Sequence, residues 1–251
     1  MGTATQSRAA QLAELLRDSS STVALTGAGI SVPSGIPDFR SPGKGIWTKV
    51  DPMKVARIDA FRSDPKRFWE FYRPRFQMLE GIQPNPAHEA LAELEGRGLL
   101  EAVITQNIDR LHRAAGSKRV VEVHGTIETS SCTTCDASYR LEDVADLFED
   151  GVAQCKLCTG LVKPDVVLFG EYLPEDAMLE ATQLASSAEL ILCVGSSLEV
   201  YPVAGLPELT MAAGGKLAIL TQSSTPYDRQ AAVKLDGDVV EELGAVLAAL
   251  D

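Results

Sequence analysis

The chain is short of positive charge: 23 Lys and Arg stand against 35 Asp and Glu, a formal net charge of -12. Non-specific affinity for a phosphate backbone comes from cationic side chains, so direct nucleic-acid binding is not expected. An acidic surface is better matched to a basic peptide segment. No apolar run approaches the roughly 20 residues that cross a bilayer, and no membrane association is expected. The opening residues, MGTATQSRAAQLAELLRDSSS, lack the apolar h-region of a signal peptide and read as an amphipathic helix. Gln6 stands where the myristoylation pattern needs Ser or Thr. A cytoplasmic protein is expected. Histidines number only 3 and cysteines 5, so each one is worth placing. No internal repeat or low-complexity segment occurs. Hydrophobic residues at 45% and charged residues at 23% exclude disordered and collagen-like chains.

A chain of 251 residues buries roughly 70–75% of its unfolded surface and needs no disulfides to hold a core. Five short apolar, β-branched runs stand out: 22–26 (TVALT), 101–105 (EAVIT), 119–123 (RVVEV), 189–194 (ELILCV) and 216–220 (KLAIL). Helical patterns lie between them, at 174–186, 202–213, 238–250 and in PNPAHEALAELEGRG, which has Pro86 at its start and Gly96 and Gly98 at its end. Buried strands alternating with helices predict an α/β fold, a Rossmann-like, doubly wound parallel sheet. Ligands in such folds bind outside the carboxyl ends of the strands. Two regions break the alternation. Residues 41–85 hold no convincing strand but carry Trp47, Phe61, Phe68, Trp69, Phe71, Tyr72 and Phe76, and residues 126–164 hold the paired cysteines. The reading assigns 1–40, 86–125 and 165–251 to the large domain. It assigns 41–85, as a helical module, and 126–164, as a zinc-binding module, to a smaller inserted domain.

Several segments at strand ends carry chemical potential. After the first strand, Gly27-Ala28-Gly29 lets backbone amides approach a pyrophosphate, and a following helix start would favour that charge. The third glycine of GxGxxG is missing, since Val32 stands there, and a plain strand–helix turn is the competing reading. The loop Gly35-Ile36-Pro37-Asp38-Phe39-Arg40 reads as a flap over a ligand. Gln106, Asn107, Ile108 and Asp109 follow the second strand, offering either donors and acceptors to a cleft or ordinary helix capping. His124 ends a strand beside Gly125, a position suited to general-base work near neutral pH. His88 and His112 fall within helical repeats and read as structural or surface residues. Lys163 to Glu171 is an extended run, either a core strand or an edge that pairs with a peptide backbone. Gly195-Ser196-Ser197 is another amide-rich turn.

Cys132-Thr133-Thr134-Cys135 and Cys155-Lys156-Leu157-Cys158 form two C-x2-C knuckles. This spacing predicts one structural Zn²⁺ held by Cys132, Cys135, Cys155 and Cys158. Four thiolates leave no open position for catalysis, and the loaded site adds about -2 to the charge. A redox pair or accidental cysteines are the rival readings. Cys193, inside LILCV, reads as a small buried hydrophobe.

In this order, GAGIS, GIPDFR, TQNID, the histidine before glycine, the two cysteine pairs, KPDVVLFGE and GSSLEVYP closely resemble the sirtuins, NAD-dependent protein lysine deacylases. The resemblance runs from about residue 20 to 240. It implies a Rossmann-fold domain joined to a small zinc-and-helix domain, with NAD and an acyl-lysine protein or peptide meeting between them, in a monomer. It places Gly27, Ala28 and Ser31 at the pyrophosphate. Pro37, Asp38, Phe39 and Arg40 fall in the cofactor loop, with Phe39 shielding the reacting ribose. Gln106, Asn107, Ile108 and Asp109 line the ribose and nicotinamide pocket. Gly195, Ser196 and Ser197, with Thr221 and Val239, lie on the adenosine side. Val167 and Phe169 line the acyl-lysine tunnel, and Gly170 and Glu171 pair with the peptide.

The implied chemistry begins with attack of the acyl carbonyl oxygen on the anomeric carbon of the nicotinamide ribose, expelling nicotinamide. His124, with Asn107 as its catalytic neighbour, deprotonates a ribose hydroxyl. Free lysine and O-acyl-ADP-ribose follow, so no Ser or Cys nucleophile is needed. The family usually has Asn where Thr221-Gln222 stands, which implies a weaker adenosine contact here. Ala56 and the Tyr72-x-x-Arg75 pair resemble the subset preferring succinyl- and malonyl-lysine. There a small Ala opens the acyl pocket and the Arg fork takes the distal carboxylate. Pro74 is expected to interrupt the helix and turn Arg75 outward. The competing reading has Tyr72 packing and Arg75 pairing with Glu70 or Glu80, which leaves plain deacetylation. Rival functions are a protein ADP-ribosyltransferase using the same pocket, an NAD-dependent dehydrogenase and a silent zinc-ribbon module.

Overall fold

The computed structural model describes residues 2–38, 45, 48, 50–79 and 81–251. In chain order the strands are β1 (Thr22–Thr26), β2 (Ala102–Thr105), β3 (Val120–Glu122), β4 (Gly125–Cys132), β5 (Ser138–Arg140), β6 (Phe148–Glu149), β7 (Val152–Ala153), β8 (Val162–Val166), β9 (Leu190–Val194), β10 (Lys216–Leu220) and β11 (Val233–Leu235). The α-helices are α1 (Gly2–Asp18), α2 (Pro52–Val55), α3 (Ile58–Ser63), α4 (Pro65–Leu79), α5 (Pro86–Gly96), α6 (Leu111–Ala114), α7 (Leu141–Val144), α8 (Glu175–Ser187), α9 (Leu206–Ala212) and α10 (Val239–Leu250). The five expected strands form at or inside their predicted bounds. β11 was not expected, because three residues of VKL carry too little pattern to stand out.

The main sheet has the order β11-β10-β9-β1-β2-β3, and each pairing is parallel. Its strands are buried on both faces, as their continuous apolar runs require. Period-two alternation sorts the side chains. Ala24, Val103, Leu192 and Ala218 join α1, α5 and α10 on one side. Val23, Leu25, Ile104, Ile191, Cys193 and Ile219 join α8 and α9 on the other. Cys193 is 1% exposed, and burial pushes its thiol well above its ordinary range. The direction of winding reverses between β1 and β9, and that switch opens a crevice at their carboxyl ends.

A second, three-stranded sheet has the order β5-β4-β8, with antiparallel pairing. Its apolar side shares one cluster with the aromatics of α3 and α4: Phe61, Phe68, Trp69 and Phe76 meet Ile127, Val162, Val166 and Leu168. The rings pack edge to face, Phe61 on Phe68 with centroids 5.0 Å apart and Trp69 on Phe148 at 5.1 Å. Helix α4 runs through Pro74 without ending, contrary to the expected interruption. The tertiary burial of Trp69 and Phe76 on either side of Pro74 outweighs one lost backbone bond. Among the described residues, no helix is long and apolar enough to cross a membrane.

The switch point leaves no room for side chains. Gly195 has φ +62, and a Cβ there would lie 2.2 Å from Ile30 N. Gly195→Ala is expected to destabilise the fold by about 1–3 kcal/mol, combining overpacking with left-handed strain. Urea denaturation of the variant checks this, and an unchanged midpoint would contradict it.

Candidate functional site

The site is built where the glycine turns after β1 and β9 meet backbone to backbone. Gly27 N donates to Val194 O at 3.0 Å, and Gly29 N to Gly195 O at 2.8 Å. The chain then coils as a 3-10 segment, Ala28–Ser34, rather than the helix start expected from sequence, with Pro33 inside it and Gly35 (φ 92) ending it. Ser31 is 1% exposed, sunk beneath the turn. Pro37 is exposed and Asp38 half-buried. Phe39 and Arg40 lie outside the described residues.

Beneath these turns runs a network of buried polar groups. Ser31 Oγ donates to Asp109 Oδ2 at 2.6 Å and accepts from Asn107 Nδ2 at 3.1 Å. Asn107 Nδ2 also donates to Gly27 O at 3.1 Å. Asp109 Oδ1 accepts from Leu111 N at 3.0 Å, so Asp109 both ties the first residue of α6 and holds Ser31. The segment is thus tied locally through Asp109 to Leu111 N and across the fold through Asn107 and Asp109 to Ser31. Ile108 packs against the aromatic cluster of the second sheet.

His88 and His112 are fully buried behind this network, at 0% and 2% exposure, which removes the surface alternative. Asn85 N donates to His88 Nδ1, 3.4 Å away, in a capping box at the start of α5. Nδ1 thus accepts, and Nε2, 3.4 Å from Ser31 Oγ, carries the proton. Desolvation holds His88 down at about 4 against the pull of Asp109, so it is neutral near pH 7. The sequence signal for this placement was present: Asn85-Pro86 followed by His88 has the spacing of an N-cap and its N3 partner.

His124 ends β3's extension into the cleft and is half-buried. Its Nδ1 lies 3.1 Å from Gln106 O. A carbonyl only accepts, so Nδ1 holds the proton and Nε2 is left as the basic nitrogen. Burial lowers the His124 pKa below its ordinary value, partly offset by the Gln106 bond. Gln106 Nε2 donates to Ser196 Oγ at 2.9 Å, and Ser196 Oγ accepts from Leu198 N at 3.2 Å. One residue, Gln106, thereby ties the histidine to the β9 turn. Next to His124, Gly125 (φ +76) lets β4 leave in a tight bend, since a Cβ there would strike Asp165 O at 2.0 Å.

On the other rim, Val167 N donates to His124 O at 2.9 Å. Among the described residues β8 pairs only with β4 and so is an edge strand. Beyond it Phe169 N donates to Ala56 O at 2.8 Å, and Ile58 N donates to Phe169 O at 3.1 Å. Gly170 (φ 93) turns the chain. The Glu171 carboxylate accepts from Leu168 N at 2.8 Å and pairs with Lys163 Nζ at 3.2 Å. Glu171 thus stiffens the rim with its side chain. Tyr72 stacks between Phe68 and Phe76, and burial pushes its hydroxyl up to about 12. Arg75 folds back onto α4: its guanidinium donates to Phe71 O and lies 3.5 Å from the Phe71 ring centroid. It makes no ion pair with Glu70, and Glu80 lies outside the described residues. Thr221 is 7% exposed, with its N–H on Leu235 O at 3.1 Å. Val239 opens α10 in the core, and Ser197 is half-buried.

The four cysteines converge as the spacing predicted. Their Sγ atoms all lie within 4.8 Å of one another. Cys132 and Cys158 are 3.4 Å apart, Cys135 and Cys155 3.6 Å, and Cys135 and Cys158 3.3 Å. A tetrahedron of roughly 2.3 Å Zn–S bonds sets sulfurs about 3.8 Å apart, so the residues fit one structural Zn²⁺. Backbone N–H groups of Thr134 and Leu157 point at Cys132 and Cys155 at 3.4 Å. Tyr139 Oη lies 3.0 Å from Cys155 Sγ, which brings that thiol down to about 6.

A family model described as Sir2 family matches residues 27–202. A NAD-dependent protein deacetylase of Thermotoga maritima is 51% identical over 230 residues, 91% of this chain and 92% of its own. A NAD-dependent protein deacylase 2 of Archaeoglobus fulgidus is 44% identical over 237 residues, 94% of this chain and 93% of its own. Among solved structures, a Sir2 with deacetylated p53 peptide and 3'-O-acetyl ADP-ribose superposes with a TM-score of 0.91 at 48% identity, covering 95% of this chain and 96% of that one.

Because metal-binding energy at such a site is folding energy, Cys132→Ala is expected to lose zinc and lower the melting temperature. Metal analysis with thermal denaturation checks this. Wild-type protein with no stoichiometric metal would contradict it.

Proposed function

The chain belongs to the Sir2 family, and on that premise we propose that it is an NAD-dependent protein lysine deacylase acting on acyl-lysine peptides. One observation carries the reading: His124 sits at the carboxyl edge of the sheet with Nδ1 committed to Gln106 O, leaving Nε2 as a base with no Ser or Cys side chain bonded to it among the described residues. NAD, consumed as co-substrate, supplies the ribose hydroxyl that receives the acyl group. In this reading Gly27, Ala28, Ser31, Gly195, Ser196 and Ser197 hold its pyrophosphate and adenosine side, with Pro37, Asp38, Phe39, Arg40, Thr221 and Val239 around them. Gln106, Asn107, Ile108 and Asp109 line the nicotinamide ribose. The domain division read from sequence is retained, with the substrate entering between the two sheets.

His124 Nε2 then accepts the proton of the ribose hydroxyl. Asn107, held by its three hydrogen bonds, shapes the pocket without moving a proton. Val167 and Phe169 flank the acyl-lysine chain. The backbone of Gly170 is unpaired among the described residues and is free to meet the peptide. The side chain of Glu171 holds that turn in shape. Zinc, enclosed by four thiolates, has no position open to substrate and serves the small lobe's structure.

Within this activity we propose a preference for succinyl- and malonyl-lysine. Ala56 is buried against Phe169, and Tyr72 shares the cluster that holds Leu168. Arg75 has no acidic partner among the described residues. A guanidinium without a carboxylate, three residues from Tyr72 along the same helix, suits an acyl group that brings its own carboxylate. The Pro74-containing helix supports the geometry, since Tyr72 and Arg75 remain on one face.

His124→Ala is expected to lose at least about 10²-fold in turnover, the scale of a positioned base, while NAD binding persists. Near-normal turnover would overturn the assignment. The base works neutral, and its pKa is lowered from 6.5. Peptide kcat/KM should therefore hold above pH 6.5 and fall only at lower pH.

Arg75→Met is expected to cost about 1.5–3 kcal/mol, roughly 10- to 150-fold in kcat/KM for a succinyl-lysine peptide, with acetyl-lysine much less affected. Parallel kinetics on the two peptides decide it. Equal losses, or a wild type favouring acetyl-lysine, would leave plain deacetylation.

A further inference from the structure

Two imidazoles lie within the fold that the reaction above does not use. His88 and His112 pack edge to face with ring centroids 4.9 Å apart. His88 has a clear task, since both of its nitrogens are engaged. His112, on α6, is engaged on one side only. Its Nε2 lies 2.8 Å from Thr26 Oγ1, and its Nδ1 is buried with no partner.

The hydrogen-bond order identifies the tautomer. Thr26 Oγ1 donates to Thr105 Oγ1 at 2.8 Å, so towards His112 it accepts, and Nε2 carries the proton. The orphaned Nδ1 is then a lone pair, less costly to bury than an unpaired N–H. Burial takes His112 down to about 3, with His88 adding to the effect, so it stays neutral near pH 7. From Thr105 the line continues: its Oγ1 accepts from Asn107 N at 3.0 Å. Thr26 and Thr105 are opposed residues at the ends of β1 and β2. The line from His112 therefore crosses both strand ends and stops at the backbone of Asn107. A phenylalanine would fill the same buried space without leaving an unpaired acceptor. The contribution particular to the imidazole is its Nε2–H.

We propose that His112 is a positioning residue for the NAD pocket, acting through Thr26 and Thr105 to hold the Gln106–Asp109 loop. The inference rests on the functional reading above, since it presumes that this loop meets NAD. His112 touches no reacting atom. It orients Thr26, whose hydroxyl then presents its proton to Thr105 and leaves Thr105 able to accept from Asn107 N. Without the donor, the Thr26 hydroxyl keeps only Thr105 as a partner and the loop loses one restraint.

The test measures NAD binding by calorimetry, alongside KM for NAD and for an acetyl-lysine peptide. His112→Phe is expected to weaken NAD binding about tenfold, the worth of one hydrogen bond, with peptide KM unchanged. His112→Gln, whose amide offers a donor to the same hydroxyl, restores most of the loss. Thr26→Val breaks the same line and produces the same selective loss, and the double variant is no worse than either single one. If His112→Phe does not fold, Thr26→Val carries the test. Unchanged NAD affinity in the folded variants, equal rises in both KM values, or no rescue by Gln overturns the proposal. A wild type that binds NAD yet deacylates no peptide would bring down the functional reading instead, with the binding measurements still deciding this one.

Discussion

The backbone contact between the turns after β1 and β9 is the constraint on which the rest depends. Parallel strands whose connections run in opposite directions leave a crevice between their carboxyl ends. Here two glycine turns close its floor, with Gly29 N bonded to Gly195 O. Side chains at either turn would force the strands apart. The amides of Gly27, Gly29, Ile30 and Gly195 are spent on backbone carbonyls within this floor, which fixes its shape.

The acid beneath this floor is managed by burial and hydrogen bonding. Asp109 is the buried acid beneath the turn, and it is satisfied by Ser31 Oγ and Leu111 N. His88, held neutral, adds no charge to it. Buried polar groups are costly when unpaired and rigidifying when satisfied. This network is nearly complete, which explains how a loop of Gln, Asn, Ile and Asp keeps one shape without a helix or strand of its own. His124 depends on the same rigidity, because its proton position is dictated by Gln106 O.

The second sheet and the α3–α4 aromatics solve a different problem. Neither the three strands nor the short helices have enough apolar area to fold apart from each other. They share one cluster, and the cysteine cage closes its far side through Cys132 and Cys155, both buried within it. The cluster also reaches Ile108, so this core and the Gln106–Asp109 segment are in physical contact.

Much was legible in the sequence because its cause is local. Strand runs, the Pro-start and Gly-stop of α5, and the C-x2-C spacing report preferences within a few residues, and the strands, α5 and the cysteine cluster form as read. The family resemblance depended on short motifs in a particular order, which is also sequence information. What failed or was missing is non-local. Pro74 has a local preference to end a helix, yet Trp69 and Phe76 bury the helix around it. VKL is too short to announce β11 but pairs once β10 is in place. His88 and His112 look alike as helical residues. Only the approach of α5 and α6, which brings together two histidines 24 residues apart in the chain, makes one a partner of Ser31 and the other a partner of Thr26. The sequence by itself determined which side chains and turns were available. The tertiary structure decided their protonation, tautomer and partners, because those are set by desolvation and by neighbours that the chain brings together only on folding.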